Sequence, residues 1–201
     1  MVSLATCEPF FEHIRKYVEL DSDTMQLVAS QISAITFPKK HIIFSEGDVC
    51  SKAYFLLSGT ARSYYTDFSG VTVTWAFQFN TGTSITRNLW LVDYRAFLTG
   101  KPTSLAIETL SEVSALVFTN EIVNHLMEKS LTYEVFMRKT NASAFLGLFD
   151  RTFALLTMSA AERYQKLLEE EPHLLQMFSN YYIASYLGIA PQSLSRIRTH
   201  H

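Results

Sequence analysis

The sequence predicts an α+β fold, with an N-terminal antiparallel β-barrel of the jelly-roll type and flanking helices, then a long helix, then a C-terminal helix-turn-helix. Three observations support this prediction. Short runs of β-branched and aromatic residues recur between residues 37 and 118, a proline-free stretch of helical period follows between residues 131 and 156, and two short apolar helical patterns separated by a glycine lie near the end. The 201 residues suit one large domain or two small ones.

The N-terminal segment, Cys7–Ile35, has the apolar spacing of helices. Phe10, Ile14 and Val18 share one helical face, and residues 23–32 carry a second apolar stripe. Because an apolar face must be covered, we expect both helices to pack on the barrel.

The barrel is predicted from four strand-like runs, HIIFSEGD, AYFLLSGTARSYYTD, VTVTWAFQF and SALVF. Turn-forming residues separate them at Gly47-Asp48, Ser58-Gly59, 67–70 and 80–82. Turns at intervals of about 8 to 12 residues are typical of an antiparallel barrel or sandwich, and a jelly roll fits this pattern best.

The long helix is predicted over Leu131–Leu156, where apolar residues recur every three or four positions and no proline interrupts them. A helix of some 25 residues is about 38 Å long, more than a small domain needs for its own core. We therefore expect it to form a homodimer interface. The alternative is that the stripe packs only on the chain's own barrel. The residues of the stripe are Ala142, Phe145, Phe149, Phe153 and Leu156.

The next helix is marked at both ends. Ser159 and Glu162 have the S-x-x-E spacing of a capping box, and Pro172 follows the predicted helix end. The acidic run Glu169–Glu171 is interpreted as a solvated surface, because carboxylates there repel a phosphate backbone.

The stretch IASYLGIAPQSLSRIR predicts two helices joined by a tight turn. Gly188 supplies a residue that tolerates positive φ, and Pro191 suits the first turn of the second helix. The apolar positions that hold the two helices together are Ile183, Ala184, Leu187, Ile189, Leu194 and Ile197.

The opposite face of the second helix is polar and carries no carboxylate. Arg196 can pair with guanine through two hydrogen bonds, and Gln192 can do the same with adenine. The pattern thus favours DNA reading, although a helical hairpin with a merely solvated face has the same spacing. The polar residues are Gln192, Ser193, Ser195, Arg196 and Thr199.

Composition limits the function classes. Charged residues make up 18% of the chain and the formal net charge is −2, so any DNA contact must be local. Cys7 and Cys50 form neither a metal-binding pair nor a disulfide framework and are predicted to be free thiols. The absence of an apolar run of about 18 to 20 residues and of a signal sequence predicts a cytoplasmic protein without a membrane partner.

The order of barrel, long helix and helix-turn-helix resembles that of the Crp/Fnr family. Its members are bacterial transcription factors and include the catabolite activator protein. IIFSEGDVCSKAYFLLSGTARSYYTD is similar to that family's early barrel and YYIASYLGIAPQSLSRIR to its DNA-binding motif. The resemblance implies a cyclic-nucleotide-binding-like sensor domain over residues 1–130, a dimerisation helix over 131–157 and a DNA-binding domain over 158–201.

The same resemblance implies a homodimer on double-stranded DNA, with each motif in a major groove and the grooves about 34 Å apart. Base contacts are expected from Gln192, Ser195 and Arg196, with Ser193 beside them. Phosphate contacts are expected from Ser179, Asn180, Arg198 and Thr199.

The segment FNTGTSITRNLWLVDYRAFLTGKPTSLAIETL departs from the family's cyclic-nucleotide pattern of a Gly-Glu pair followed by an Arg-Ser/Thr-Ala triplet. Arg87 falls near the glutamate position and PTSLA replaces the triplet. We therefore expect an unidentified small-molecule effector rather than cyclic AMP. The alternative for Arg87 and Lys101 is ordinary surface solvation. The predicted ligand-binding residues are Thr86, Arg87, Lys101, Thr103 and Ser104.

No cofactor or metal is predicted. Two cysteines are too few for a four-cysteine iron–sulfur cluster, and His13, His41, His125 and His173 are scattered singly, which is typical of surface or core histidines, with haem left open. Enzymes built on such barrels need clustered histidines and a carboxylate, and the strand region holds only His41, so no enzymatic role is expected.

Two hypotheses follow. One is a dimeric sequence-specific transcription regulator with a sensor barrel. The other is a ligand-binding or protein-interaction module with a vestigial or truncated helix-turn-helix, favoured by the small basic charge and by a sequence that stops close to the predicted recognition helix, before the wing usual in the family. His200-His201 is either native or the remnant of a tag.

Overall fold

The computed structural model describes residues 2–199 and confirms the predicted α+β architecture; His200-His201 lies outside them. The helices are Leu4–Arg15 (α1), Ser22–Gln31 (α2), Thr86–Leu89 (α3), Tyr94–Thr99 (α4), Asn120–Lys129 (α5), Leu131–Thr157 (α6), Ala160–Glu170 (α7), Leu174–Met177 (α8), Asn180–Tyr186 (α9) and Pro191–Thr199 (α10). The strands are Ser33–Phe37 (β1), Ile42–Phe44 (β2), Lys52–Ser58 (β3), Thr60–Thr66 (β4), Thr72–Phe79 (β5), Trp90–Leu91 (β6), Ala106–Thr109 (β7) and Val113–Thr119 (β8).

The strands form two four-stranded sheets of the predicted jelly-roll type. One sheet has the order β1-β8-β3-β6 and the other the order β2-β7-β4-β5. The pairs β1–β8, β3–β8, β3–β6 and β2–β7 are antiparallel. Several neighbours within each sheet are distant in sequence, as in a jelly roll. The two sheets form two layers, in which each sheet covers the apolar face of the other.

The N-terminal helical segment is shorter than predicted. α2 ends at Gln31, and Ile35 lies in β1, where it pairs with Ala115 of β8. The sequence pattern over Ile32 to Ile35 is apolar enough to continue a helix, but hydrogen bonding to β8 favours the extended backbone there. The prediction of helix up to Ile35 was wrong by these last residues.

The chain divides into two compact units, and the first comprises residues up to Ser63 together with Phe77–Phe145. Its core is rich in aromatic rings. The ring of Phe10 in α1 lies 4.9 Å from that of Phe55 in β3, 5.0 Å from that of Phe118 in β8 and 5.9 Å from that of Phe136 in α6. α1 therefore packs on the sheets as expected, since edge and tilted ring contacts stabilise such cores.

The two cysteines belong to this first unit and are buried free thiols, as predicted. Burial raises the pKa of both Cys7 and Cys50 to about 11. A neutral buried thiol behaves as a small apolar side chain.

The second unit comprises Tyr64–Ala76, the tip of the β4–β5 hairpin, together with the residues from Leu146 onward. The long helix α6 is confirmed at Leu131–Thr157 and contributes its C-terminal half to this unit. The capping box before α7 is also confirmed, because the Ser159 hydroxyl accepts the N–H of Glu162 and the Glu162 carboxylate accepts the N–H of Ser159. Within residues 2–199, no helix is long and apolar enough to cross a bilayer.

Candidate nucleic-acid interface and sensor segment

The helix-turn-helix consists of α9, a short turn and α10. Ser179 caps α9, since its hydroxyl accepts the N–H of Tyr182 at 3.4 Å. Gly188 takes φ +68° in the turn and Pro191 begins α10, so both predicted turn residues are confirmed. A left-handed glycine after a helix satisfies its last carbonyls and reverses the chain within a few residues.

The inner face of the motif is apolar, as predicted. Ile183, Ala184, Leu187 and Leu194 are buried, whereas Ile189 and Ile197 are half-buried. Ile189 lies in the turn, where part of its side chain stays exposed.

The outer face of α10 presents most of the predicted base-contacting side chains to solvent. Gln192, Ser195, Arg196 and Thr199 are exposed. They lie on one face, because Ser195 and Arg196 each stand three or four positions from both Gln192 and Thr199. Ser193 is half-buried at the border of this face. The Thr199 hydroxyl donates to the carbonyl of Ser195 at 3.0 Å and so leaves its lone pairs as acceptors.

Two predicted phosphate-contacting residues meet at one end of the motif. Nη1 of Arg198 donates to Oδ1 of Asn180 at 2.9 Å, although 18 positions separate them in sequence. The two line a concave surface together with Pro191, Leu194, Ser195 and Thr199. Exposed Ser179 lies next to Asn180 at the N-terminus of α9. A guanidinium beside helix N–H groups is suited to a phosphate.

The charge on the motif is small and positive. From Leu174 to Thr199, Arg196 and Arg198 are the formal charges and no carboxylate occurs. The motif thus differs in sign from the whole chain, whose net charge is −2.

Arg163 of α7 supports the turn, a role that the sequence did not predict. Its Nε donates to the carbonyl of Leu187 at 2.9 Å and its Nη1 to the carbonyl of Met158 at 2.5 Å. Both acceptors are carbonyls near helix ends, which lack intrahelical partners. Arg163 therefore ties the end of α9 to the start of α7.

Asp93 accepts hydrogen bonds from the stretch PTSLA, which replaces the arginine triplet of the family's cyclic-nucleotide pattern. Oδ2 of Asp93 accepts from the Thr103 hydroxyl at 2.8 Å and from the N–H of Ser104 at 3.0 Å, and Oδ1 accepts from the N–H of Ala96 at 3.0 Å. Burial raises the pKa of Asp93, but these hydrogen bonds and the nearby Arg95 outweigh burial and hold the pKa below its ordinary value. Asp93 is thus an ionised internal anion.

The predicted ligand-binding residues differ in their surroundings. Thr86 is buried and its hydroxyl shares a hydrogen bond with the Tyr17 hydroxyl at 2.5 Å. Arg87 is half-buried in α3, and Lys101 is exposed. Thr103 and Ser104 meet at Asp93, so the structure brings together two of the five.

The sequence analysis did not identify Asp93 as part of this site. One local signal marks it as a helix cap, because Asp93 directly precedes the short helix α4 and Gly100, with φ +67°, follows that helix. The sequence alone does not show that the same carboxylate reaches Thr103 and Ser104.

The apolar stripe of α6 is exposed in the single chain. Phe145 is 66% exposed, Phe149 58%, Phe153 51% and Leu156 80%. The rings of Phe149 and Phe153 stack at 6.3 Å. A contiguous exposed apolar stripe of this kind marks an interaction surface.

The described residues contain no group of three or more histidine, cysteine, aspartate or glutamate side chains placed to hold a metal ion.

Comparison with known proteins agrees with this geometry. The model of the cyclic nucleotide-binding domain family matches residues 34–130. No curated protein sequence matches the chain.

Among solved structures, FixK2 from Bradyrhizobium japonicum is 18% identical with a TM-score of 0.69, covering 84% of this chain and 83% of that one. The c-di-GMP-responsive global regulator CLP of Xanthomonas campestris is 14% identical with a TM-score of 0.64, covering 90% and 91%. A Crp/Fnr-family transcriptional regulator from Eubacterium rectale is 16% identical with a TM-score of 0.65, covering 90% and 83%.

The Crp/Fnr family consists of transcription regulators and is not enzymatic. Residues 34–130 of this chain match the cyclic nucleotide-binding domain family, and the chain over most of its length has the fold of the Crp/Fnr regulators.

Proposed function

We propose that this protein is a cytoplasmic homodimeric transcription regulator that reads a near-palindromic DNA site with α10. The observation that carries the proposal is the exposed, carboxylate-free face of α10, on which Ser195 and Arg196 follow Gln192 by three and four positions. These side chains have the donors and acceptors that base edges in the major groove require. Members of the Crp/Fnr family bind DNA as dimers, which supports the same arrangement.

The test is selection of bound duplexes from a random pool, repeated with Arg196→Ala. The wild-type protein should enrich a two-fold symmetric site, and the variant should lose discrimination at one base pair per half-site, worth about 1 to 3 kcal/mol. Arg15→Ala serves as the control, because Arg15 is an exposed arginine on α1 and belongs neither to the motif nor to the apolar stripe of α6. An unchanged sequence preference in Arg196→Ala contradicts the assignment of Arg196.

The phosphate contacts in this proposal come from Ser179, Asn180, Arg198 and Thr199, with Ser193 at the border of the base-reading face. The hydrogen bond between Arg198 and Asn180 supports the grouping, since it gathers the charge and a polar side chain at the N-terminus of α9. The division into a sensor domain over 1–130, a dimerisation helix over 131–157 and a DNA-binding domain over 158–201 belongs to the same proposal.

The proposed effector of the barrel is a small molecule other than cyclic AMP. The hydrogen bonds from Thr103 and Ser104 to Asp93 support this, because a ligand phosphate there would have to displace an ionised carboxylate from its donors. Two like charges at one site repel strongly. Thr86, Arg87, Lys101, Thr103 and Ser104 stay the predicted ligand set, with Arg87 and Lys101 as its cations.

Calorimetric titration with cyclic AMP tests this part of the proposal. We expect no saturable heat at millimolar nucleotide. Stoichiometric binding at micromolar concentration would show that the carboxylate is displaced, and the exclusion of cyclic AMP would then be wrong.

The second candidate function is a ligand-binding or protein-interaction module whose helix-turn-helix no longer binds DNA. The small charge of the motif favours it, since Arg196 and Arg198 are the formal charges from Leu174 to Thr199. Affinity for DNA falls steeply with ionic strength, whereas a protein partner need not show this dependence, so a salt series separates the two candidates.

A further inference from the structure

The tip of the β4–β5 hairpin contacts the first helix of the helix-turn-helix within the second unit. The Ser185 hydroxyl, in α9, donates to the carbonyl of Thr72 at 2.9 Å and accepts the N–H of Thr74 at 2.8 Å. The Thr74 hydroxyl also donates to it at 3.1 Å. One side chain of α9 thus uses its donor and both lone pairs on β5.

These contacts give hydrogen-bond partners to backbone groups at the edge of a sheet. β5 is the last strand in the order β2-β7-β4-β5, and an edge strand presents N–H and C=O groups without a strand partner. The carbonyl of one residue and the N–H two residues later point to the same side of a strand, as a neighbouring parallel strand would need. Ser185 takes the place of one residue of such a neighbour.

Arg151 makes a second link between the hairpin and α9. Its Nη2 donates to the carbonyl of Thr74 at 3.1 Å and to the carbonyl of Tyr186 at 2.8 Å. The guanidinium lies 3.9 Å from the centre of the Tyr186 ring and 5.3 Å from that of Trp75. Arginine combines planar stacking with several directed donors, whereas lysine offers a point charge alone.

The acceptor at Tyr186 lies where α9 ends and the turn begins. Carbonyls in the last turn of a helix lack intrahelical partners, so a cation there fixes the helix end. α10 begins three residues after Gly188, and a change in the direction of α9 therefore moves the base-reading face.

We propose that the β4–β5 hairpin is a third component of the DNA-binding unit, and that Ser185 and Arg151 are positioning residues that set the orientation of α10. This inference rests on the proposed function, since it concerns the same DNA-reading face. Neither residue belongs to that face. Ser185 and Arg151 act through Thr72 and Thr74 of β5 and through the end of α9.

The experiment compares Ser185→Ala and Arg151→Lys with the wild-type protein. Ser143→Ala and Arg15→Lys are the matched controls, because Ser143 is exposed on α6 away from the apolar stripe and Arg15 is exposed on α1. Two readouts are measured: the hydrogen-exchange rate of the Thr74 amide, without DNA, and affinity for the selected duplex.

In Ser185→Ala the Thr74 amide should exchange at least tenfold faster, and DNA affinity should fall about tenfold with the same preferred sequence. Ser185→Thr, which keeps the hydroxyl, should restore both. Arg151→Lys should weaken DNA binding by a similar factor and tests the proposal even where Ser185→Ala folds poorly. The two controls should change neither readout.

Unchanged Thr74 exchange in Ser185→Ala overturns the hairpin link. Faster Thr74 exchange with unchanged DNA affinity overturns the positioning role and leaves the proposed function intact. A wild-type protein that selects no DNA sequence contradicts the proposed function instead, and the exchange measurement still decides whether the hairpin holds α9.

Discussion

At the scale of single residues, several positions have requirements that only one residue type meets. Gly59 lies between β3 and β4 with φ +93°, and a Cβ there would be 2.1 Å from the carbonyl oxygen of Glu112. Gly47 has nearly the same φ, +92°, but has open space around it. Comparing substitutions at Gly47 and Gly59 therefore separates the cost of backbone strain from the cost of steric overlap.

Gly59→Ala should lower the free energy of unfolding by more than about 3 kcal/mol, because strain at positive φ and a clash with backbone add together. Gly47→Ala should cost about 1 to 2 kcal/mol, from positive φ alone. Urea denaturation of both variants gives the two values. Equal losses would show that the backbone near Glu112 moves aside.

His13 is a buried histidine among aromatic rings. Its ring lies 5.4 Å from that of Tyr17, 5.7 Å from that of Phe55 and 5.8 Å from that of Phe136. Burial, with a smaller contribution from the charge of Lys16, lowers the pKa of His13 from 6.5 to about 4. The folded protein therefore holds this imidazole neutral at pH values where the unfolded chain protonates it.

Because the unfolded state binds the additional proton, stability should fall as the pH decreases from about 6.5 toward 4, by up to about 3 kcal/mol. His13→Phe should remove this part of the pH dependence. Urea denaturation at pH 7 and pH 5 measures the difference, in a range above the ordinary carboxylate pKa. Identical pH dependence in both proteins would mean that His13 is protonated without unfolding.

At the scale of secondary-structure elements, α6 has apolar side chains that a single chain does not bury. Its 27 residues carry an apolar stripe that is exposed in the monomer. In the proposed homodimer, the same stripe of a second copy covers it, since a two-fold interface uses one surface twice.

Phe149→Glu should raise the dimer dissociation constant at least about a hundredfold, or about 2.7 kcal/mol, because it places two carboxylates in an apolar contact. Ser143→Glu is the control, since Ser143 is exposed on α6 away from the stripe. Sedimentation equilibrium gives both constants. A dimer that tolerates Phe149→Glu assembles through a different surface.

At the scale of the whole molecule, charge is unevenly distributed. The chain has a formal net charge of −2, whereas the motif from Leu174 to Thr199 carries two arginines and no carboxylate. Non-specific attraction to DNA is therefore weak, and orientation of the motif depends on a small number of phosphate contacts.

Arg198→Gln should reduce the slope of log affinity against log salt by about 1.8 in a dimer, since each of two phosphate contacts contributes about 0.9. It should leave the preferred sequence unchanged, in contrast to Arg196→Ala. Fluorescence anisotropy across a salt series measures the slope. An unaltered slope would place Arg198 away from the phosphates, held by Asn180 alone.

The sequence by itself determined those features that depend on neighbours close along the chain. α6, the capping box of α7, the positive φ of Gly188 and the start of α10 at Pro191 were predictable, because helical period, caps and turn residues act within a few positions. The exposure of Gln192, Ser195 and Arg196 followed from the same period, while their part in DNA reading stays a prediction.

Only the tertiary structure decided the features that join distant positions. Ile35 is extended because it pairs with Ala115. Asp93 accepts hydrogen bonds from Thr103 and Ser104 because the chain after α4 folds back on the N-terminus of that helix. Ser185 bonds to β5 across more than a hundred residues. Such contacts depend on which surfaces meet after folding, and no local pattern in the sequence encodes that choice.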